Sequence, residues 1–259
     1  MKVSCLQMDM KFGCPEKNVS HAEKLIGESI KEQPDVIVLP ETWNTGFFPQ
    51  KNLAELCCKD GDAVKLRIGT LAKKYKVNIV AGSVSNMRDG NVYNTAFIFD
   101  RAGRCIAEYD KTHLFTPMGE NDHYTGGDRL CSFILDGTKC GIIICYDVRF
   151  PELTRCLALQ GLDMLFVVSQ WPKERIFHLR TLTTARAIEN QMFVVCCNSC
   201  GATDKTVFGG NSAIIEPFGK TLALAGEGEE IISATCDMRI LSDIRGSIPV
   251  FRDRRPEIY

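Results

Sequence analysis

Four short runs, Val36–Leu39, Cys140–Ile144, Met164–Ser169 and Phe193–Ser199, are apolar at nearly every consecutive position. Neighbouring residues of a strand point to opposite faces, so a strand apolar throughout must be covered on both sides. Between such runs lie stretches with helical spacing. Pro15–Lys31 puts Val19, Ala22, Ile26 and Ile30 on one face, and Ala63–Tyr75 does the same with Val64, Ile68 and Leu71. Lys173–Asn190 aligns Leu179, Leu182, Ala185 and Ile188. Pro151 suits the first position of a further helix, in which Leu153, Cys156 and Leu157 share a face.

The remaining β-like runs are Lys2–Asp9, Val77–Val84, Val92–Phe99, Cys105–Tyr109, Leu130–Leu135, Val207–Glu216, Thr221–Ala225 and Glu230–Cys236. Asp89-Gly90, Asp100–Gly103 and Asp136-Gly137 supply hairpin turns between several of them. Strand–helix–strand units mixed with hairpins imply mixed sheets. Roughly a dozen strands exceed what one open twisted sheet holds comfortably, so two packed sheets with helices outside are expected. No repeat or linker divides the chain, which reads as one domain over residues 1–259. The stretch 238–259 is basic, without clear periodicity, and reads as a surface tail or a contact to a partner subunit.

Charge is nearly balanced, with 31 basic and 32 acidic residues. That balance gives no support for a nucleic-acid or membrane partner, since both favour a concentrated basic surface. The 13 cysteines are odd in number and sit mostly inside apolar runs, as reduced, buried thiols do. Lys2–Asp9 reaches a charge too early for a signal sequence, and no apolar stretch approaches a membrane span. A cytoplasmic protein is expected.

Three segments carry chemistry. Val36–Leu39 exits through Pro40 to Glu41, flanked by Trp43 and Phe47. A desolvated carboxylate there would make a proton acceptor near neutrality, but a solvated loop acid fits the residues too. Lys111 follows the run ending at Tyr109; a surface lysine and a stabiliser of a thiolate or oxyanion are both open readings. Cys145 ends an apolar strand just before a helix, the setting of a nucleophile elbow, although one more buried thiol is the plain alternative. Cys197-Asn198-Ser199-Cys200 is a single CxxC that follows a strand, and it reads as structural.

Taken together, Pro40-Glu41, Asp110-Lys111-Thr112-His113-Leu114 and Cys145-Tyr146-Asp147-Val148-Arg149-Phe150-Pro151-Glu152 resemble, in order, the three signature blocks of the nitrilase (carbon–nitrogen hydrolase) superfamily. The resemblance runs from the first strand to Asp253-Arg254-Arg255-Pro256 and Tyr259. It implies a four-layer αββα sandwich that pairs into a homodimer, with the C-terminal segment at the interface. It also implies Glu41 as general base, Lys111 as oxyanion stabiliser and Cys145 as nucleophile, with Glu120 as the second glutamate. No cofactor and no metal are implied.

For substrate contacts, Tyr146 would offer its backbone N–H, Trp171 a pocket wall and Arg175 a carboxylate anchor. Arg149 reads as pairing with a local acid to shape the elbow. Within the superfamily the chain resembles ω-amidase-like members, which implies a small carboxylate-bearing amide such as 2-oxoglutaramate as substrate. An N-carbamoyl-amine hydrolase or a nitrilase would use the same three residues. A papain-like pair of Cys145 with His113 or His178 is a rival chemistry, and a non-catalytic binding protein on this fold is a rival class.

Overall fold

A computed structural model describes residues 1–47, 49, 51–203 and 205–258. The first sheet contains β1 (Lys2–Gln7), β2 (Val36–Val38), β3 (Cys58–Lys59), β4 (Asn78–Arg88), β5 (Asn91–Phe99), β6 (Cys105–Asp110) and β13 (Glu230–Thr235). Its order is β13-β1-β2-β4-β5-β6, with β3 beside β4. The second sheet contains β7 (Ser132–Leu135), β8 (Thr138–Ile144), β9 (Met164–Ser169), β10 (Phe193–Asn198), β11 (Ala213–Ile215) and β12 (Thr221–Leu224), in the order β12-β11-β10-β9-β8-β7. In both sheets three adjacent strands are parallel, β1-β2-β4 and β8-β9-β10, and antiparallel strands flank them. The helices are α1 (Pro15–Ser29), α2 (Leu53–Leu56), α3 (Asp62–Tyr75), α4 (Pro151–Ala158), α5 (Ile176–Asn190) and α6 (Ile240–Ser247).

The apolar runs split by residue parity, as strands covered on both faces must. Val36 and Val38 enter the core between the sheets with Ile142, Ile144, Phe166, Val168, Phe193 and Val195. Ile37 and Ile79 face outward onto Val19, Ala22 and Ile26 of α1 and Val64 and Ile68 of α3. Ile143, Leu165, Val167 and Val194 face outward onto Leu153 and Leu157 of α4 and Leu179 and Ala187 of α5. The result is helix, sheet, sheet, helix, the expected αββα sandwich. At about 25 cal/mol per Å² of buried apolar area, this doubled burial dominates stability.

Several elements differ from expectation. The long helix opens with a 3-10 turn at Lys173–Arg175. Its buried face is Leu179, Thr183, Arg186, Ala187 and Asn190, whereas Ile188 is exposed and Leu182 and Ala185 are only partly covered. The inner face is part polar because Arg186 donates to the Val148 carbonyl at 2.8 Å, bracing the segment after Cys145. On α4, Cys156 is exposed, and Thr154 takes the inward place. The expected strand Val207–Glu216 shrinks to Ala213–Ile215, because Gly210 and Asn211 take positive φ and break the ladder. The stretch after Met238 contains α6, which buries Leu241 and Ile244 against its own chain and ties Arg245 to Asp163. Among the described residues, no helix is long and apolar enough to cross a membrane.

One glycine controls how β2 leaves the sheet. Gly82, at φ +50 in an irregular part of β4, lies so close to the exit that an added Cβ would sit 1.9 Å from the Pro40 carbonyl oxygen. Gly82→Ala should therefore cost about 2–4 kcal/mol through strain and overpacking, and displace the loop carrying Glu41. Denaturant titration together with activity checks this; an unshifted midpoint with full activity would contradict it.

Candidate active site

Parallel strands release their chains at the same edge, where open α/β sheets place ligands. Glu41 follows β2, Cys145 follows β8, and Gln170 and Trp171 follow β9. The strand β6 runs parallel to β2, two antiparallel steps beyond β4, so Lys111 emerges at that edge as well.

The side chains converge. Lys111 Nζ donates to Glu41 Oε1 at 2.8 Å and to Glu120 Oε2 at 2.8 Å, and all three groups are buried. Burial alone would depress the ammonium pKa, but the two carboxylates outweigh it and hold Lys111 well above its ordinary value. Glu120 sits on a 3-10 turn, Glu120–Asp122, and also accepts the Phe115 N–H at 2.6 Å. Glu41 Oε2 accepts the Gln170 N–H at 2.8 Å, which joins the two sheets across the site.

Cys145 occupies the left-handed region at φ +49, a strained position for a non-glycine residue, and begins the 3-10 turn Cys145–Arg149. Asp147 imposes that turn. Its carboxylate, with no exposure, accepts from Ile144 N at 3.0 Å, Tyr109 Oη at 2.7 Å and the His113 backbone N at 2.9 Å. It thus fastens the elbow to the strand end bearing Lys111. Desolvation first, then the neighbouring Glu41 carboxylate, push the Cys145 thiol well above its usual pKa, against a smaller opposing pull from Lys111. Burial and the adjoining carboxylate thus favour the neutral thiol over a preformed thiolate.

These groups form the floor of a narrow cavity walled by Phe47, Phe115, Met118, Tyr146, Trp171 and Phe208. Arg149 and Arg175 also line it. Arg149 lies over the Trp171 ring at 4.9 Å and Arg175 over the Phe115 ring at 5.3 Å. Neither guanidinium has a carboxylate partner among the described residues.

Against this geometry the comparisons with known proteins are decisive. Residues 2–245 match the carbon–nitrogen hydrolase family. The chain belongs to that family. A 2-oxoglutaramate amidase of Bacillus subtilis is 43% identical over 257 residues, covering 99% of this chain and 98% of the relative. A second 2-oxoglutaramate amidase, from Paenarthrobacter nicotinovorans, is 34% identical and covers 94% and 85% of the two chains. Saccharomyces cerevisiae Nit3, a member of branch 10 of the nitrilase superfamily, superposes with a TM-score of 0.91 at 28% identity, covering 98% of this chain and 96% of that one. The chain is accordingly an amidase acting on C–N bonds outside peptides.

Within this carbon–nitrogen hydrolase, the structure brings Glu41, Lys111, Glu120 and Cys145 together and lines the same cavity with Tyr146, Trp171 and Arg175. Arg149 departs from expectation. It stacks on Trp171 and contacts His178 Nδ1 at 3.3 Å instead of pairing with an acid, while Asp147 shapes the elbow. The papain-like pairing is not supported: neither His113 nor His178 lines the cavity that holds Cys145, His113 stacking on Phe150 and His178 lying against Arg149. Cys197 lies in the core between the sheets, its sulfur 3.3 Å from the Val38 carbonyl. Sequence reasoning missed Asn94, Asp147 and Arg186. Asp147 alone carried a local signal, as an acid just past the strand end at Ile144.

Proposed function

We propose that the protein hydrolyses the terminal amide of a small 2-oxo dicarboxylic acid monoamide, such as 2-oxoglutaramate, through a thioester on Cys145. The observation that carries this reading is the Lys111 ammonium held 2.8 Å from both Glu41 and Glu120 on the floor of the cavity that contains Cys145. A neutral thiol needs a base at the moment of attack, and Glu41 is the carboxylate that acts on it in the same cavity. As the sulfur bonds to the amide carbon, the thiol proton passes to Glu41. The oxyanion is met by Lys111 Nζ and the Tyr146 backbone N–H. Collapse breaks the C–N bond while Glu41 returns the proton to nitrogen, releasing ammonia and leaving the acyl group on sulfur. Glu41 then deprotonates water, which attacks the thioester and frees the acid and the thiol. Glu120 keeps the lysine in place.

The cavity supports the substrate class. Its aromatic walls admit a short chain, and two guanidinium groups lacking carboxylate partners suit a substrate carboxylate, Arg175 by a bidentate contact. The two similar amidases act, by their names, on 2-oxoglutaramate. Ammonia release from a panel of ω-amides of keto acids, uncharged amides, nitriles and N-carbamoyl compounds tests the assignment. The keto-acid amides should turn over fastest, and Cys145→Ala should sit at background. Arg175→Ala should raise KM for a carboxylate-bearing amide about 10–100-fold, as loss of a charge-assisted hydrogen bond does, and more than for an uncharged one. No release from any keto-acid amide would reject the substrate class; an active Cys145→Ala would reject the scheme.

The same reading extends to the setting. Residues 1–259 act as one carbon–nitrogen hydrolase domain, supported by the core the two sheets share. Thirteen free thiols favour the reducing cytoplasm. A homodimer is supported by the apolar side chains on the outer face of α5, where Phe177 is 77% and Ile188 50% exposed, with residues 252–258 reaching the partner. Sedimentation equilibrium should give twice the chain mass, and a strictly monomeric species at micromolar concentration would contradict this.

A further inference from the structure

Asn94 lies inside β5, where asparagine is disfavoured, and its side chain is buried. Its amide nitrogen donates to Glu41 Oε1 at 2.9 Å and to Glu120 Oε1 at 3.3 Å. Lys111 Nζ donates to the same two oxygens, at 2.8 and 3.0 Å. Two carboxylate oxygens and two nitrogen donors therefore close a ring. The backbone of Asn94 completes the arrangement by accepting the Lys111 N–H at 2.9 Å.

The other end of the amide is informative. Asn94 Oδ1 is buried without a hydrogen-bond partner. Reversing the amide would aim that oxygen at two carboxylates, so the orientation is fixed by the nitrogen. An orphaned buried acceptor is costly, and nothing in the packing of β5 requires an amide here. What the residue supplies is a donor shared by two like charges that a single ammonium only half neutralises.

We infer that Asn94 is a positioning residue that holds the Glu41 and Glu120 carboxylates side by side and saturates Glu41 Oε1. Glu41 Oε2, which among the described residues accepts the Gln170 N–H, is then the oxygen that takes the Cys145 proton. Asn94 is not among the residues that line the cavity, so it acts through the two carboxylates. This inference rests on the reading of Glu41 as the base.

The titratable groups around the amide are Glu41, Glu120, the Lys111 ammonium, the Cys145 thiol, and the Tyr124 hydroxyl bonded at 2.7 Å to Ser85, which faces Asn94 across the strands. Asp110 is turned to Thr95 and Arg88 on the other side of β5. Asn94→Asp is therefore a chemical switch of the same size. When protonated, the introduced acid offers one O–H donor in place of the amide; when ionised, it sets a third carboxylate against two.

The test compares pH profiles of kcat for wild type, Asn94→Asp, Asn94→Ala and Glu41→Gln. The ratio of Asn94→Asp to wild-type kcat should fall as pH rises, approaching about tenfold per pH unit once the introduced acid ionises, and should recover on re-acidifying the same sample. Asn94→Ala should lose about 10- to 100-fold in kcat at every pH, with KM little changed. A ratio for Asn94→Asp that is flat with pH, at whatever level, or a wild-type kcat for Asn94→Ala, would overturn the inference. An active Glu41→Gln would overturn the base assignment instead, which separates the two failures.

Discussion

One ammonium serving two buried carboxylates is the constraint on which this molecule depends. Taking an isolated carboxylate out of water is prohibitive, and breaking a buried pair costs about 3–5 kcal/mol. Lys111 lies between Glu41 and Glu120 in a dry cleft, with Asn94 Nδ2, Phe115 N and Gln170 N as supplementary donors to the two carboxylates. Burial first, and then the adjoining Glu41 carboxylate, hold the Cys145 thiol well above its usual pKa, unlike thiols activated by a cation alone. The sulfur becomes nucleophilic only as its proton leaves, and Lys111 is then free to face an oxyanion on the substrate.

The sandwich makes such a cluster affordable. Parallel strands from each sheet end at one edge, so residues far apart in sequence meet on backbone already rigid through ladder hydrogen bonds. Cross-sheet ties fix their separation, among them Gln170 N to Glu41 and Tyr109 with His113 to Asp147. Of the non-glycine residues with positive φ, Cys145 and Thr42 stand where the chain turns sharply into the site. Thr42 is held by its hydroxyl donating to Gln170 Oε1 at 2.7 Å. Such preorganisation is what electrostatic stabilisation of an oxyanion requires.

Much of this was legible in the sequence because the reactive residues sit at boundaries. Glu41, Lys111 and Cys145 each follow an apolar run, and ordered motifs identified Glu120 with them. The two-sheet architecture followed from strands apolar on both faces. What escaped were residues whose meaning lies in a distant partner. Asn94 looks like any strand asparagine until two glutamates, from a loop and a 3-10 turn, are folded against it. Arg186 looks like a surface charge on a helix whose apolar stripe points elsewhere, because an elbow carbonyl, not apolar contact alone, sets the helix's rotation. Arg149 was assigned an acidic partner, and the aromatic face of Trp171 took that place.

The central claim is that the cluster exists to move one proton off one sulfur. Rapid acid quench of the enzyme during turnover of a keto-acid ω-amide, followed by intact-mass and peptide mass spectrometry, examines that step directly. The account predicts an added mass equal to the substrate less ammonia, located on the Cys145 peptide. Ammonia released at the full catalytic rate with Cys145 unmodified, or with the acyl group on another residue, would contradict it.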